Sequence, residues 1–113
     1  MALKVLRKNY QFRLVYRQGK KVVCKYSVVF IHRIGEDNGD PAFGFVASKR
    51  VGNAVQRNKA KRLLREAARQ ISKDLSQPGF WIVLVAKSAI LNSTYSEIIS
   101  DLQNNLIRSR YLK

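Results

Sequence analysis

Hydrophobic and polar positions change their period several times along the chain, and each change marks an element. In the stretch NYQFRLVYRQ, Asn9 is placed to cap a helix and Gly19 to end it in a left-handed conformation, which predicts a helix over 10–18. Residues 22–34 are dense in β-branched and aromatic side chains. Their alternation puts Tyr26, Val28, Phe30 and His32 on one face and Ser27, Val29, Ile31 and Arg33 on the other, as in one strand or two short ones. An acidic turn, Glu36 to Pro41, then predicts a hairpin whose return strand is Ala42 to Ser48.

Gly52 and Asn53 break that pattern. Asn53 followed by Gln56 forms a capping-box signature, which opens a helix running to about Leu75. Gln77, Pro78 and Gly79 stop it, and Phe80 to Lys87 is a continuous apolar run, as expected of a central strand covered on both faces, Trp81 included. Thr94 with Glu97 repeats the capping box, after which Tyr95, Ile98, Ile99, Leu102 and Leu106 recur at helical spacing to near Arg108. The expected order is α-β-β-β-α-β-α without repeat or linker. That is an α+β sandwich forming a single domain over residues 1–113.

Composition sharpens this picture in one direction. Of 113 residues, 22 are Lys or Arg and 7 are Asp or Glu, a net charge of +15, while 46% hydrophobic content is enough to build a core and argues against disorder. Such a charge points to a polyanionic partner, nucleic acid before an acidic surface. The single cysteine, Cys24, has no disulfide partner in the chain, and neither it nor the lone His32 has companions for a metal site. No apolar run approaches a membrane span, so a cytoplasmic protein with no membrane partner is expected.

The charge is not evenly spread. Between Lys49 and Lys73 the cations Lys49, Arg50, Arg57, Lys59, Lys61, Arg62, Arg65, Arg69 and Lys73 face one acid, Glu66. At about 100° per residue, Asn58, Lys61, Arg62, Arg65 and Arg69 share one stripe, and Ala60, Leu63, Leu64, Ala67 and Ile71 lie opposite. A merely solvated face mixes signs, because like charges at i,i+4 cost a few tenths of a kcal/mol per pair. The uniform sign therefore implies an anion, and the preference for arginine fits phosphate, which the guanidinium fork grips at two points. Asn58 in the same stripe is either a solvated polar residue or an amide able to donate and accept toward RNA.

Aromatic side chains accompany the cations. Phe12 and Tyr16 are four apart on the first helix, and Phe30 lies on the first long strand. Core packing accounts for any single ring at such spacing, whereas a sheet covered on one face only would leave rings on which unpaired bases can stack. No carboxylate pair, nucleophile–base set, metal cluster or phosphate loop is present, so no catalytic residue is expected in the protein itself.

The string Ser48 to Arg69, SKRVGNAVQRNKAKRLLREAAR, resembles the signature of the bacterial ribonuclease P protein family. The family's Lys/Arg pair, Gly-Asn-Ala, Arg-Asn-Arg, Lys-Arg and further Arg correspond to Lys49 and Arg50, Gly52 to Ala54, Arg57 to Lys59, Lys61 and Arg62, and Arg65. Leu6 to Gly19 and Trp81 to Lys87 are similar to the family's first helix and last strand, so the resemblance covers nearly the whole chain. It implies a four-stranded sheet packed by three helices, with a left-handed βαβ crossover. It also implies an accessory subunit of an endoribonuclease in which a large RNA is the catalyst, removing the 5′ leader of precursor tRNA. Catalytic RNA would be met by Lys49, Arg50, Asn53, Arg57, Asn58, Lys59, Lys61, Arg62, Arg65 and Arg69, and the leader by a cleft containing Phe12, Tyr16 and Phe30. Magnesium would be required by the holoenzyme and held mainly by RNA, with no metal bound tightly by the protein and no protein partner required. Lys59 departs from the pattern, standing where the family more often has arginine, and keeps charge without the planar fork. The rival expectation from charge alone is a non-catalytic RNA-binding protein of the ribosomal kind, and a nuclease with its own active site ranks below it.

Overall fold

Alternate burial along the chain builds one mixed sheet with a helix on one side and two on the other. The computed structural model describes residues 3–35 and 39–113, so the first half of the expected acidic turn, residues 36–38, lies outside the described residues. Its strands are β1 (Lys4–Val5), β2 (Lys20–Val23), β3 (Ser27–Arg33), β4 (Ala42–Val46) and β5 (Phe80–Ala86). The helices are α1 (Asn9–Gln18), α2 (Ala54–Ser72) and α3 (Tyr95–Arg108), with a 3-10 turn over Ser88–Asn92. A two-residue β1 makes the sheet five-stranded rather than four-stranded, in the order β1-β4-β5-β3-β2.

β5 is central, as its continuous apolar run implied, and this overturns the expected hairpin. β4 does not return along β3. It runs parallel to β5 (Phe43 opposite Ile82), while β3 pairs with the other side of β5 in antiparallel sense (Ile31 opposite Ile82). A strand covered on both faces gains more by sitting between two partners than at an edge, and α2 supplies the crossover that a parallel β4–β5 pair requires.

Register sorts the side chains into two faces. Ile31, Ile82 and Phe43 form one row and Val29, Leu84 and Phe45 the next, beneath the apolar faces of α2 and α3. Ala60, Leu64, Ala67, Ala68 and Ile71 of α2 and Ile98, Leu102 and Leu106 of α3 are buried here, making this the main core. On the opposite face lie the rows His32–Trp81–Ala42, Phe30–Val83–Gly44 and Val28–Val85–Val46, covered by α1 alone. Leu6, Val15, Ala42 and Val83 make a smaller buried cluster there.

Several local expectations change at this level. α1 is capped by Lys8, not Asn9, with the Gln11 carboxamide oxygen accepting from the Lys8 backbone at 2.9 Å. Gly19 is extended (φ −80°, ψ 165°) rather than left-handed. It is glycine because a Cβ would lie 2.5 Å from the Val15 carbonyl oxygen and 2.9 Å from that of Ile31. Tyr26 belongs to the main core instead of sharing a face with Phe30, because the chain turns before Ser27 and α3 captures it. Its N–H donates to Asp101 Oδ2 at 3.1 Å and its hydroxyl to Glu97 Oε2 at 3.2 Å. α2 ends at Ser72, short of Leu75, whereas both expected capping boxes are formed, at Asn53/Gln56 and Thr94/Glu97.

Candidate nucleic-acid interface

Two surfaces of one sign flank the sheet. The first is the uncovered part of the α1 face. α1 lies over the middle strands, so its Phe12 and Tyr16, four residues apart, both point down. The Phe12 ring sits over Gly44, and the Tyr16 ring meets Phe30 edge to face with centroids 4.9 Å apart. Phe12 and Phe30 are half-buried and Tyr16 is 41% exposed, so the three rings are gathered in one groove without being sealed in a core. Partial burial raises the Tyr16 hydroxyl above its usual pKa.

The groove contains residues that local pattern missed. Trp81, expected in the core, is half-buried and packs on this face with Val46 and Val85. Directly opposed residues of antiparallel strands share a face, so Lys21, opposite Phe30, brings an exposed cation to the groove's edge, and Val23, opposite Val28, is 58% exposed beside it. Only pairing register identifies these residues, since neither lies in a motif.

The second surface is α2. Gly52 has φ +149°, and a Cβ there would collide with the carboxamide of Gln56. That carboxamide must reach back to accept from the Asn53 N–H at 2.8 Å, while Asn53 Oδ1 accepts from the Gln56 N–H at 2.9 Å. The Gly-Asn pair of the signature is thus a helix start, and the Asn53 oxygen is already engaged. Burial begins only at Ala60, so the first turns of α2, with Arg57, Asn58 and Lys59, project beyond the core, and Val55 among them is 78% exposed.

Further along, Asn58, Arg62 and Arg65 are exposed and Lys61 is half-buried along one side. Arg65 is steered by the sheet, its guanidinium carbon lying 5.3 Å from the Phe45 ring centroid, and Phe45 stacks against Phe43. Arg69 differs from the rest, because Glu66 one turn away takes its charge in the one ion pair among the described residues. The remaining cations of α2 have no carboxylate partner there. Lys49 and Arg50 are exposed in the turn leading to α2, closed by the Val51 N–H donating to the Ser48 carbonyl at 3.0 Å.

Cys24 stays outside both surfaces as a chemical group, whereas His32 lies opposite Trp81 at the end of the groove face. Burial, with Asp101 nearby, pushes the Cys24 thiol up to about 11, which leaves it protonated and unreactive. Among the described residues no group of three or more His, Cys, Asp or Glu side chains is placed to hold a metal, and no helix is long and apolar enough to cross a membrane.

Comparison with known proteins shows the family and the fold. The family model described as Ribonuclease P matches residues 2–110. The ribonuclease P protein component of Clostridioides difficile is 34% identical over 106 residues, covering 94% of this chain and 91% of that protein. That of Natranaerobius thermophilus is 42% identical over 82 residues, 73% of this chain and 69% of its own. Among solved structures, the Staphylococcus aureus RNase P protein superposes with a TM-score of 0.82 at 25% identity, covering 99% of this chain and 100% of that one. The Thermotoga maritima RNase P protein gives 0.77 at 28% identity, covering 93% and 96%.

Proposed function

The chain belongs to the ribonuclease P protein family, and from that premise we propose how this protein component of a tRNA-processing ribonucleoprotein works. Its RNA partners are the catalytic RNA of ribonuclease P and precursor tRNA, and no further protein is required. The cationic face of α2, with Asn58, Lys61, Arg62 and Arg65 of its stripe and Lys49, Arg50, Arg57 and Lys59 at its base, lies against the catalytic RNA near the cleavage site. The groove of Phe12, Tyr16 and Phe30 holds the single-stranded 5′ leader.

The single observation that carries this reading is the half-covered sheet face. Three rings are gathered under α1 yet left reachable, and an exposed lysine stands at the edge of their row. Stacking on rings beside cations suits an unpaired strand whatever its sequence, which is what a leader that varies between precursors demands.

Bond cleavage is assigned to the RNA. Apart from Glu66, which is paired with Arg69, the α2 surface offers ammonium, guanidinium and amide groups, which do not form a site for a hard dication, so the magnesium of the holoenzyme belongs on RNA phosphates. The protein instead neutralises phosphates that would otherwise repel each other, and it raises the local concentration of leader next to the catalyst. Arg69, paired with Glu66, contributes least to this surface.

Reconstitution tests the proposal. With catalytic RNA added, the protein should raise precursor cleavage most at low magnesium, and its effect should shrink as magnesium is increased. No gain at any magnesium concentration, or cutting by the protein without RNA, overturns it.

A further inference from the structure

A second concavity, about 370 Å³ in volume, wraps the far corner of the sheet. Gln18 and His32 reach it from the α1 side, and Lys20, Arg33, Arg110 and Tyr111 from the other. One ammonium and two guanidinium groups line one hollow, and among the described residues lining it there is no carboxylate. Tyr111 forms an aromatic floor with Phe80, edge to face at 5.7 Å.

The chain fastens this hollow in place. After α3, Ser76 takes up the C-terminal segment, its N–H donating to the Tyr111 carbonyl at 2.8 Å and its hydroxyl to the Arg110 carbonyl at 3.1 Å. The Lys113 N–H donates to the Asp74 carbonyl at 2.8 Å, and Arg33 Nε to the Pro78 carbonyl at 3.0 Å. Arg110 is the only non-glycine residue among those described with positive φ, 68°. The Arg110 N–H donates to Ile107 and the Tyr111 N–H to Leu106, the two bonds of a helix-ending turn whose left-handed position glycine fills without steric cost. A cation therefore occupies a position where backbone geometry favours glycine, and strain of this kind concentrates where a side chain has work to do.

We propose that this corner is a phosphate subsite for the part of the leader upstream of the aromatic groove. The inference rests on the function proposed above. Continuity argues for the leader: His32 follows Phe30 by two residues on the same face of β3, so a strand leaving the Tyr16–Phe30 pair meets His32 and then the Lys20–Arg33–Arg110 cluster. Cations beside an aromatic floor continue the same mode of single-strand binding.

The test uses reconstituted holoenzyme and two precursors, with leaders of about two and about ten nucleotides. Arg110→Gly removes the cation and relieves the backbone, so the variant should be at least as heat-stable as the parent. It should bind the long-leader precursor about five- to tenfold more weakly, with a flatter salt dependence, and the short-leader precursor unchanged. Arg33→Gln should behave alike in binding. Equal binding of both precursors to variant and parent overturns the subsite, and equal losses for both overturn it as well, because the contact is then with catalytic RNA. Phe12→Ala, run in parallel, separates the two readings. If it weakens the long leader while the corner variants do not, the subsite alone fails; if none of them does, the leader groove fails and the subsite with it.

Discussion

The ring of Phe12 rests on the backbone of Gly44, so close that a Cβ at Gly44 would lie 2.5 Å from Cε1 and 2.7 Å from Cζ. The floor of the groove is glycine at this point, and the ring is held flush with the sheet beside the Tyr16–Phe30 pair. Phe12 is thereby positioned by a residue on another element, 32 positions along the chain.

Two substitutions test that relationship. Gly44→Ala should lift the Phe12 ring and lower holoenzyme affinity for leader-bearing precursor while leaving mature tRNA unaffected. Phe12→Ala should do the same, by about 1–3 kcal/mol if one base stacks there. Equal losses for precursor and mature tRNA would return Phe12 to a packing role.

Phosphate contacts along α2 predict a steep salt dependence. If about five are made, affinity should fall by roughly two to three orders of magnitude between about 50 and 200 mM salt. Arg62→Ala and Arg65→Ala should each flatten the slope, whereas Arg69→Ala should change it least, because Glu66 already neutralises Arg69. Equal effects at all three positions would show that the ion pair opens on binding.

The start of α2 should be the structural weak point of the cationic surface. Asn53→Ala removes the acceptor for the Gln56 N–H and should cost about 1 kcal/mol in urea unfolding. Gly52→Ala adds strain at φ +149° and should cost more. Both should reduce RNA affinity together with stability, whereas Arg62→Ala should reduce affinity alone.

Acid should loosen the attachment of α3. Hydrogen bonds from the Thr94 backbone and side chain, and then from the Tyr26 hydroxyl, hold the Glu97 carboxyl below its usual value of 4.5. A carboxylate lowered on folding stabilises the fold above the unfolded pKa, and that contribution disappears as pH falls through the lower folded value. Melting temperature should therefore drop below about pH 4.5, and Glu97→Gln should be less stable at neutral pH and lose that part of the dependence.

The Cys24 thiol, pushed up to about 11 by burial, should resist a thiol reagent at pH 8 until the protein unfolds. Labelling that runs ahead of unfolding, followed by circular dichroism, would contradict the burial found here.

Short-range chemistry was legible in the chain itself. Both capping boxes, the apolar and cationic sides of α2 and the central place of β5 follow from residues within a few turns of each other, because caps and helical periodicity are local. The +15 charge and the Lys49 to Arg69 signature likewise point to RNA from the chain alone. Strand pairing, and with it which side chains share a face, is settled only by long-range packing. Period-two alternation states that two faces exist but not which neighbour completes them, so β4 was expected beside β3 and lies across β5 instead. The same nonlocal choice set Trp81 on the groove, sent Tyr26 to α3, placed Lys21 opposite Phe30 and put Gly44 beneath Phe12. A binding surface made by register and by helix docking depends on contacts between distant residues, and these form only when the core closes.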